Sequence, residues 1–375
     1  MGPGTLSLDF DVGPSGREVR FSQPRQLFRA DEPGDVGSCL DAMERARQQG
    51  LWLAGLLSYE LGYGFCDRLS GLTPEKRDVP LVLFGAYDEP QAPPPHAAPF
   101  SGALQLSPQI SREDYGSSFA QVKEYIAAGD VYQINLTFPL TGQTDASADA
   151  LYAALKRAQP VGHGCLLQAT DFALLSRSPE LFFAIDAERR AITRPMKGTA
   201  SRGATPDEDR ARADRLRASE KNRAENLMIV DLLRNDLSRI AEVGSVTVPK
   251  LFEIETYATV HQMTSTVTAR LKPVRFAAIV EALFPCGSIT GAPKIRAMEI
   301  IRELEPFARG AYCGAIGWIA PTGAMEFSVA IRTLMLRDGH VTLNVGGGIV
   351  ADSDADEEWE EALCKAAFAR SLHRT

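Results

Sequence analysis

The sequence contains no hydrophobic run that approaches the roughly 18 residues needed for a membrane-spanning helix. Its N-terminus lacks the basic and then apolar layout of a secretory signal, because Asp9, Asp11 and Glu18 interrupt it. The cysteines show no Cys-x-x-Cys spacing, which argues against a zinc site or a disulfide framework. These absences lead us to expect a cytoplasmic protein with reduced thiols and no membrane partner.

Positive charge is also in short supply, since 48 acidic residues stand against 40 lysines and arginines and the net charge is −8. Such a balance argues against nucleic acid as the main partner. The glycine-rich loop at residues 284–294 lacks the Gly-x-x-x-x-Gly-Lys-Ser/Thr spacing of a Walker A motif. Its glycines and the helix start that follows could hold an anion, but a tight turn explains the same pattern.

What the chain does have is length, because 375 residues can bury a large core and suggest two subdomains or one composite body. The only low-complexity stretch is residues 89–99, which contains five prolines and predicts an extended linker. We therefore predict an N-terminal subdomain at residues 1–100, packed against a main domain at residues 101–375.

Helical spacing of apolar residues predicts a helix over residues 112–129, with Gly129 as its C-cap. Residues 131–138 alternate as a strand should, which puts Gln133, Asn135 and Thr137 on one face. A polar row of this kind is either the solvated side of a sheet or the lining of a cavity. The pattern alone leaves both interpretations open.

Residues 193–202 stand at the centre of the chain and contain a single lysine, Lys197. Pro195 stiffens the backbone before it, and Gly198 lets the backbone approach a ligand closely. We expect a turn here that presents one amine. A solvated surface lysine is the alternative, since most loop lysines are only that.

Acidic residues recur on two predicted helices. Ser219 is a credible N-cap for a helix that carries Glu225, and a final helix over residues 356–373 carries Glu358 and Glu361 on one face. A solvated acidic face is the simpler interpretation. A divalent cation held by hard oxygen ligands is the functional one.

Strand-forming residues precede the final helix, at residues 325–336 and 340–345, and three glycines follow at residues 346–348. Consecutive glycines either relieve crowding against another backbone or present amide groups to a carboxylate.

Taken together, these segments resemble the chorismate-utilising enzymes, a family that includes anthranilate, aminodeoxychorismate, isochorismate and salicylate synthases. The resemblance spans residues 112–370, about two thirds of the chain, and rests on the joint occurrence of segments that are each weak alone. It implies an α+β protein with an anthranilate synthase component I-like fold, in which two β-sheets face each other and helices lie outside.

The aminodeoxychorismate synthase branch is the most similar, because Lys197 stands in a Pro-x-Lys-Gly-Thr motif where anthranilate and isochorismate synthases carry alanine. Gln133 stands where the water-using relatives carry their activating lysine. Near His261, the anthranilate synthases align a histidine with Gln262. These departures imply amination without aromatisation.

Carried over to this chain, the resemblance implies that Lys197 is a nucleophile. Keeping its amine neutral near pH 7 would require about 4–5 kcal/mol of destabilisation of the ammonium form. The resemblance also implies a Mg²⁺ ion held by Glu225, Glu358 and Glu361. The implied substrate contacts are Gln133, Thr199, His261, Arg332, Gly347 and Gly348.

The expected reaction joins chorismate and ammonia to give 4-amino-4-deoxychorismate, for 4-aminobenzoate and folate synthesis. Ammonia is scarce at neutral pH, so we expect a separate glutamine amidotransferase subunit, component II, as partner. The alternatives are an anthranilate synthase component I, an isochorismate-type hydroxylase and a catalytically silent chorismate-binding protein.

Overall fold

A computed structural model describes residues 5–94, 100, 104–257, 260–370 and 372. The helices in these residues are α1 Pro33–Gln48, α2 Arg112–Ala128, α3 Ala148–Ala158, α4 Pro206–Ala218, α5 Glu220–Ser238, α6 Phe276–Leu283, α7 Lys294–Leu304, α8 Ala355–Lys365 and α9 Ala367–Arg370. The strands are β1 Leu6–Phe10, β2 Val19–Phe21, β3 Gln26–Ala30, β4 Trp52–Leu57, β5 Val82–Tyr87, β6 Ser107–Pro108, β7 Gln133–Gln143, β8 His163–Ala169, β9 Ala173–Ser178, β10 Leu181–Ile185, β11 Arg190–Thr193, β12 Met196–Ser201, β13 Thr247–Thr256, β14 Val260–Arg270, β15 Gly291–Ala292, β16 Ala315–Ile319, β17 Met325–Val329, β18 Thr333–Arg337 and β19 His340–Ile349.

The strands form two antiparallel sheets. Sheet A has the order β15-β7-β19-β18-β9-β8-β1-β2, and β6 pairs with β7 outside this path. Sheet B has the order β12-β14-β11-β10-β17-β16-β4-β5-β3, and β13 pairs with β14. Both sheets combine strands from distant parts of the sequence, so their pairing depends on long-range contacts.

A continuous apolar layer lies between the two sheets. Leu8 of sheet A and Leu56 and Ile316 of sheet B are buried in it. The hydroxyl of Tyr87 in β5 donates a hydrogen bond of 3.2 Å to the carbonyl of Leu6 in β1, which ties the sheets together. Because burial of each large apolar side chain stabilises the fold by about 1.5–3 kcal/mol, this layer is a principal source of stability.

Helices cover the outer faces of both sheets. On sheet B, α1 packs against β3 and β5, and Phe276 of α6 stacks on Phe327 of β17. On sheet A, Phe138 of β7 stacks against Trp359 of α8, with ring centroids 4.5 Å apart and planes inclined by 14°. The predicted α+β architecture of two facing sheets with helices outside is confirmed.

Helices with local capping signals begin and end close to the predicted residues. In α2 the Ser111 hydroxyl accepts from the backbone N–H of Asp114, and Gly129 closes the helix at a φ of 82°. In α5 the Ser219 side chain accepts from the N–H of Asn222. Both predictions are confirmed. They could be made from the sequence because a capping residue acts on backbone groups only a few residues away.

Three local predictions are wrong. The expected turn around Lys197 is strand β12, in which Gly198 takes a φ of 84° and the register with β14 shifts. The single strand expected at residues 325–336 is two strands, β17 in sheet B and β18 in sheet A. The final helix stops at Lys365 and a short helix follows, while His373 lies outside the described residues.

The N-terminal segment contributes strands to both sheets, β1 and β2 to sheet A and β3 to β5 to sheet B. The boundary predicted at residue 100 therefore passes through both sheets, because each sheet pairs strands from before this residue with strands from after it. Residues 95–99 of the predicted linker are outside the described part of the chain. In the described residues, no helix has both the length and the hydropathy to cross a membrane.

Candidate active site

Lys197 is half-buried in β12, and within the described residues its amine has no hydrogen-bond or ion-pair partner. Burial lowers the pKa of Lys197, and the ammonium of Lys365 adds to this effect. The carboxylates of Glu180, Glu225 and Glu361 act in the opposite direction. The alternative of a solvated surface lysine is therefore wrong, because this amine lies in a charged recess.

The cation that lowers the pKa of Lys197 comes from a distant helix. It is Lys365 of α8, whose amine also donates a hydrogen bond of 2.8 Å to the carbonyl of Gly346. Arg194, only three residues before Lys197, forms an ion pair with Glu255 instead. Lys365 lies seven residues after Glu358, two helical turns along α8, which is the sequence signal that could have identified it.

Glu180 lies in the connection between β9 and β10 and is 5% exposed. The Ser288 hydroxyl donates a hydrogen bond of 2.8 Å to its Oε1. Burial raises the pKa of Glu180, although Ser288 and the charges of Lys197, His163 and Arg332 oppose the rise. Sequence reasoning missed this residue. Its signal in the sequence is an acidic side chain in the short connection between two strands, directly before the apolar strand β10.

The polar row of β7 is buried, so the interpretation as a solvated face is wrong. The backbone N–H and hydroxyl of Thr137 donate to Glu305, and the carbonyl of Asn135 accepts from Arg309. Arg309 and Glu305 form a fully buried ion pair of 2.7 Å. This end of the row is a structural network between the sheets.

Gln133, at the other end of the row, has no exposed surface. Neither amide atom of its side chain has a hydrogen-bond partner in the described structure. An unpaired buried amide costs about 1–3 kcal/mol, which is a reason to expect a ligand that completes it. The structure thus leaves the Gln133 amide free to bind a ligand, and its substrate-binding role stays a prediction.

Gly347 and Gly348 lie inside strand β19. A Cβ on Gly347 would lie 2.7 Å from Oε2 of Glu358. A Cβ on Gly348 would lie 2.7 Å from the amide nitrogen of Gln133 and 3.4 Å from the Lys197 amine. Gly347 and Gly348 thus make room for site side chains. The crowding against another backbone that the sequence left open occurs at Gly346, where a Cβ would lie 2.3 Å from the carbonyl oxygen of Leu136.

Arg332 lies where the chain passes from sheet B to sheet A, at a φ of 49°. Its guanidinium is half-buried and has no hydrogen-bond or ion-pair partner within the described residues. Burial lowers the pKa of Arg332, while Glu180 opposes this change. A half-buried guanidinium without a partner suits a carboxylate ligand, as predicted for this residue.

Thr199 and His261 occupy different environments. The exposed Thr199 hydroxyl donates a hydrogen bond of 3.0 Å to the Gln262 side chain. The His261 ring is buried, 2.9 Å from Asp209 and 3.0 Å from Thr256. Successive residues of a strand point to opposite faces, so His261 points away from the Thr199 side. The ring of His261 already has two partners, so this position does not favour the substrate contact predicted for it. Gln262, which is not among the predicted contacts, lies beside Thr199.

The three glutamates predicted to bind Mg²⁺ come from two helices. Burial raises the pKa of Glu225 and the pKa of Glu358, and the negative charge of Glu361 adds to both increases. Glu358 accepts a hydrogen bond of 2.7 Å from Ser353, and Glu361 pairs with Lys365 at 2.8 Å.

Among the described residues, no three Asp, Glu, His or Cys side chains are close enough to enclose a metal ion by themselves. Mg²⁺ normally uses one or two protein carboxylates and completes its shell with water and substrate oxygens. The donor set is therefore chemically suited to Mg²⁺ that a substrate helps to bind.

The site combines an unpaired amine, a buried carboxyl, an unpaired amide and a guanidinium, with carboxylates at one side. With this combination the amine could attack an anionic substrate while the carboxyl gives its proton to the group that leaves.

The chain matches the chorismate binding enzyme family over residues 13–371. It belongs to that family.

Two relatives indicate a particular branch. The chain is 42% identical to aminodeoxychorismate synthase component 1 of Klebsiella aerogenes over 324 residues, which cover 84% of this chain and 70% of that protein. It is 46% identical to the protein of the same name from Escherichia coli over 257 residues, covering 68% of this chain and 56% of that protein. The chain thus spans little more than half the length of the second relative.

Anthranilate synthase component I from Streptococcus pneumoniae has a similar structure, with a TM-score of 0.83 at 24% sequence identity. The match covers 99% of this chain and 93% of that one. At this identity the likeness concerns the fold alone, and it agrees with the fold class expected from the sequence.

Proposed function

We propose that this chain aminates chorismate with ammonia to give 4-amino-4-deoxychorismate and water, and that it serves 4-aminobenzoate and folate synthesis. The observation that carries the proposal is the unpaired amine of Lys197 near the buried carboxyl of Glu180 and beside the unpaired amide of Gln133. The names of the relatives from Klebsiella aerogenes and Escherichia coli support the same reaction.

In the first step, the Lys197 amine forms a bond to C2 of the ring as the bond between C4 and its hydroxyl breaks. Glu180 gives its proton to the departing hydroxyl, which leaves as water, and the ring double bonds shift. The raised pKa of Glu180 and the lowered pKa of Lys197 both favour the required forms, a carboxylic acid and a neutral amine.

In the second step, ammonia forms a bond to C4 and the bond from C2 to Lys197 breaks. Lys197 leaves as a neutral amine, and the new amino group carries the extra proton. Glu180 regains a proton from this group or from solvent. The side chain oxygen of Gln133 accepts a hydrogen bond from ammonia and orients it, which satisfies an otherwise unpaired group.

Arg332 binds a carboxylate of chorismate through its guanidinium fork, and the backbone of Gly347 and Gly348 lies beside the ring. Glu225, Glu358 and Glu361 would hold Mg²⁺, some directly and some through water. Mg²⁺ would neutralise charge on a substrate carboxylate and fix its orientation. Thr199 and Gln262 line the outer side of the site.

The designation component 1 in the names of the relatives supports a partner subunit. We propose a glutamine amidotransferase that releases ammonia to this chain, with both proteins in the cytoplasm. Adding that subunit and glutamine should raise turnover well above that of the chain with glutamine alone.

The decisive assay incubates the purified chain with chorismate, Mg²⁺ and ammonium, and determines the mass of the product and the position of its amine. Lys197→Ala should abolish amination or redirect it, and should leave Mg²⁺-dependent chorismate binding intact. Lys250→Ala, at an exposed lysine, is the control. Normal amination by Lys197→Ala would exclude the covalent route, and a fluorescent anthranilate product would identify the alternative enzyme.

A further inference from the structure

The loop at residues 284–292, between α6 and α7, is buried along its whole length. The N–H of Asn135 in β7 donates a hydrogen bond of 3.0 Å to the carbonyl of Thr290. The Arg309 guanidinium donates one of 3.2 Å to the carbonyl of Ile289. The backbone of this small-residue loop is therefore held in one position against sheet A.

One side chain of the loop, Ser288, contacts the buried acid of the proposed site. Its hydroxyl donates a hydrogen bond of 2.8 Å to Oε1 of Glu180. Ser288 is 2% exposed and Glu180 is 5% exposed, so water does not compete for this bond. The other carboxyl oxygen of Glu180, Oε2, has no hydrogen-bond partner among the described residues. The two oxygens of Glu180 are therefore not equivalent.

A hydroxyl group has one proton to donate, and this fixes the directions of the hydrogen bonds around Ser288. Sγ of Cys286 lies 3.2 Å from Oγ of Ser288. Because the proton of Ser288 lies in the bond to Glu180, the thiol of Cys286 is the donor in this contact. Burial raises the pKa of Cys286 to about 12, so the thiol keeps its proton at neutral pH. The hydrogen bonds thus run in one direction, from Cys286 through Ser288 to Glu180.

We propose that Ser288 is a positioning residue for Glu180, which it binds at Oε1 so that Oε2 carries the acid proton, and that Cys286 holds the Ser288 hydroxyl in this orientation. This inference rests on the proposed function, in which Glu180 is the proton donor. The proton passes from Oε2 to the hydroxyl that leaves C4 as water, and the electron pair of the broken O–H bond stays on the carboxylate. The bond from Ser288 strengthens at that moment, because its acceptor becomes charged.

The other charged groups that act on Glu180 come from separate parts of the fold. They are Lys197 of β12, His163 of β8 and Arg332 between β17 and β18, and each favours the carboxylate, as the hydrogen bond from Ser288 does. Loss of the Ser288 hydroxyl should therefore raise the pKa of Glu180 further, because the charged form loses a donor.

The test compares Ser288→Ala, which removes one oxygen atom, with Ser288→Thr, which keeps the hydroxyl. The carboxyl infrared band of Glu180 is identified as the band that Glu180→Gln lacks, and it is followed as a function of pH. Turnover with saturating ammonium gives the pH profile of kcat. Ser117→Ala is the control, since the Ser117 hydroxyl donates only to the carbonyl of Glu113 on the exposed side of α2.

In Ser288→Ala the infrared band should move to higher frequency, because the carbonyl group of the acid loses its donor. Its titration midpoint should move up by about one pH unit, and the descending limb of the rate profile should move with it. We expect kcat to fall about tenfold or more with little change in KM. Ser288→Thr and Ser117→Ala should keep the wild-type band and midpoint. A purely structural loss would lower Tm without moving the band.

Cys286→Ala and Cys39→Ala are a matched pair of thiol deletions, because Cys286 is 4% exposed and Cys39 is 8% exposed. Cys286→Ala should move the infrared band in the same direction as Ser288→Ala and lower kcat about threefold, since it removes the donor that aligns the Ser288 hydroxyl. Cys39→Ala should change neither the band nor kcat.

A wild-type infrared band and midpoint in Ser288→Ala would overturn the proposal. So would a shift in Ser288→Thr as large as that in Ser288→Ala, since the hydroxyl would then not be the cause. Should Ser288→Ala not fold, a wild-type band in Cys286→Ala would overturn it. Failure of the wild-type chain to aminate chorismate would refute the proposed function instead, and the infrared titration would still show whether Ser288 controls the proton of Glu180.

Discussion

Burial shifts the proton affinities of Lys197 and Glu180 in opposite directions. It lowers the pKa of the amine and raises the pKa of the carboxyl. The charged forms of the two groups attract each other, so each opposes the shift of the other. An uncharged amine and an uncharged acid are the forms that a low-dielectric recess favours and that the proposed reaction requires.

Glu180→Gln tests the role of this acid, because it keeps the size of the side chain and its contact with Ser288 but removes the proton. We expect kcat to fall by about a hundredfold to ten-thousandfold with little change in KM. Glu360→Gln, at an exposed position of α8, is the control. Wild-type turnover in Glu180→Gln would show that Glu180 is not the proton donor.

The pH profile follows from the same two shifts. The acid form of Glu180 is lost as the pH rises through its raised pKa, and the amine form of Lys197 is gained as the pH rises through its lowered pKa. The wild-type rate should therefore be bell-shaped, and the Glu180→Gln variant should lack the limb that belongs to Glu180.

Gly348→Ala tests how closely the site is packed. The added methyl group would lie 2.7 Å from the Gln133 amide and 3.4 Å from the Lys197 amine, so one of them must move. Because small displacements of reacting groups are costly, we expect kcat to fall by about a hundredfold with the fold intact.

Gly116→Ala is the control, since nothing lies within 4 Å of the added group. Gly116 stands in the interior of α2, where alanine should stabilise the helix by about 0.5–1 kcal/mol. If Gly348→Ala were as active as this control, the close contact of Lys197 with β19 would be contradicted.

At the scale of elements, strand β7 connects the site with a buried ion pair. The strand contributes Gln133 to the site, and its Thr137 and Asn135 bind Glu305 and Arg309. A guanidinium and a carboxylate with almost no exposure are costly to bury, and their mutual bonds offset that cost.

Arg309→Met should therefore destabilise the protein by about 3–5 kcal/mol, because it leaves Glu305 buried without its partner. Urea unfolding measures this change. Arg309→Met combined with Glu305→Gln should recover part of the loss, since the double variant has no unpaired buried charge. If Arg309→Met alone lowered the free energy of unfolding by less than about 1 kcal/mol, the Arg309–Glu305 pair would not stabilise the fold.

For the whole molecule, both sheets need the N-terminal segment. Strands β4 and β5 continue sheet B beyond β16, and β1 and β2 continue sheet A beyond β8. Without them the edges of β16 and β8 and much of the apolar layer between the sheets would be exposed. Exposed edges and apolar faces of this kind lead to aggregation.

We therefore expect a fragment of residues 101–375 to aggregate or to lack a cooperative unfolding transition, and we expect the full chain to unfold as one unit. Near-ultraviolet circular dichroism and calorimetry of the two proteins would test this. A fragment with a native spectrum and its own cooperative transition would instead support an independent main domain.

The match between sequence-based predictions and structure depends on how local the signal is. Helices α2 and α5 were predicted well because Ser111, Gly129 and Ser219 act on neighbouring backbone. Strand β12 was predicted as a turn, because Pro195 and Gly198 indicate turns locally, while pairing with β14 decides the outcome.

The roles named for the site residues stay predictions, and the structure shows where their side chains lie. Lys197, Gln133 and Arg332 were named from the sequence, and the structure gives each an unpaired polar group in a buried or half-buried position. Glu180 and Lys365 were missed, since each is an ordinary charged residue until its neighbours are known. His261 was named but is bound to Asp209 and Thr256 on the other side of β14.

The sequence by itself determined the features that depend on residues close together in the chain. These are the capped helices, the alternation of β7 and the segments that resemble a known family. The tertiary structure alone decided which of these groups meet, because Gln133, Glu180, Lys197 and Arg332 come from separate strands or connections of two sheets. Their proximity results from apolar burial and strand pairing between distant residues. Neither the spacing nor the composition of a single segment carries that information.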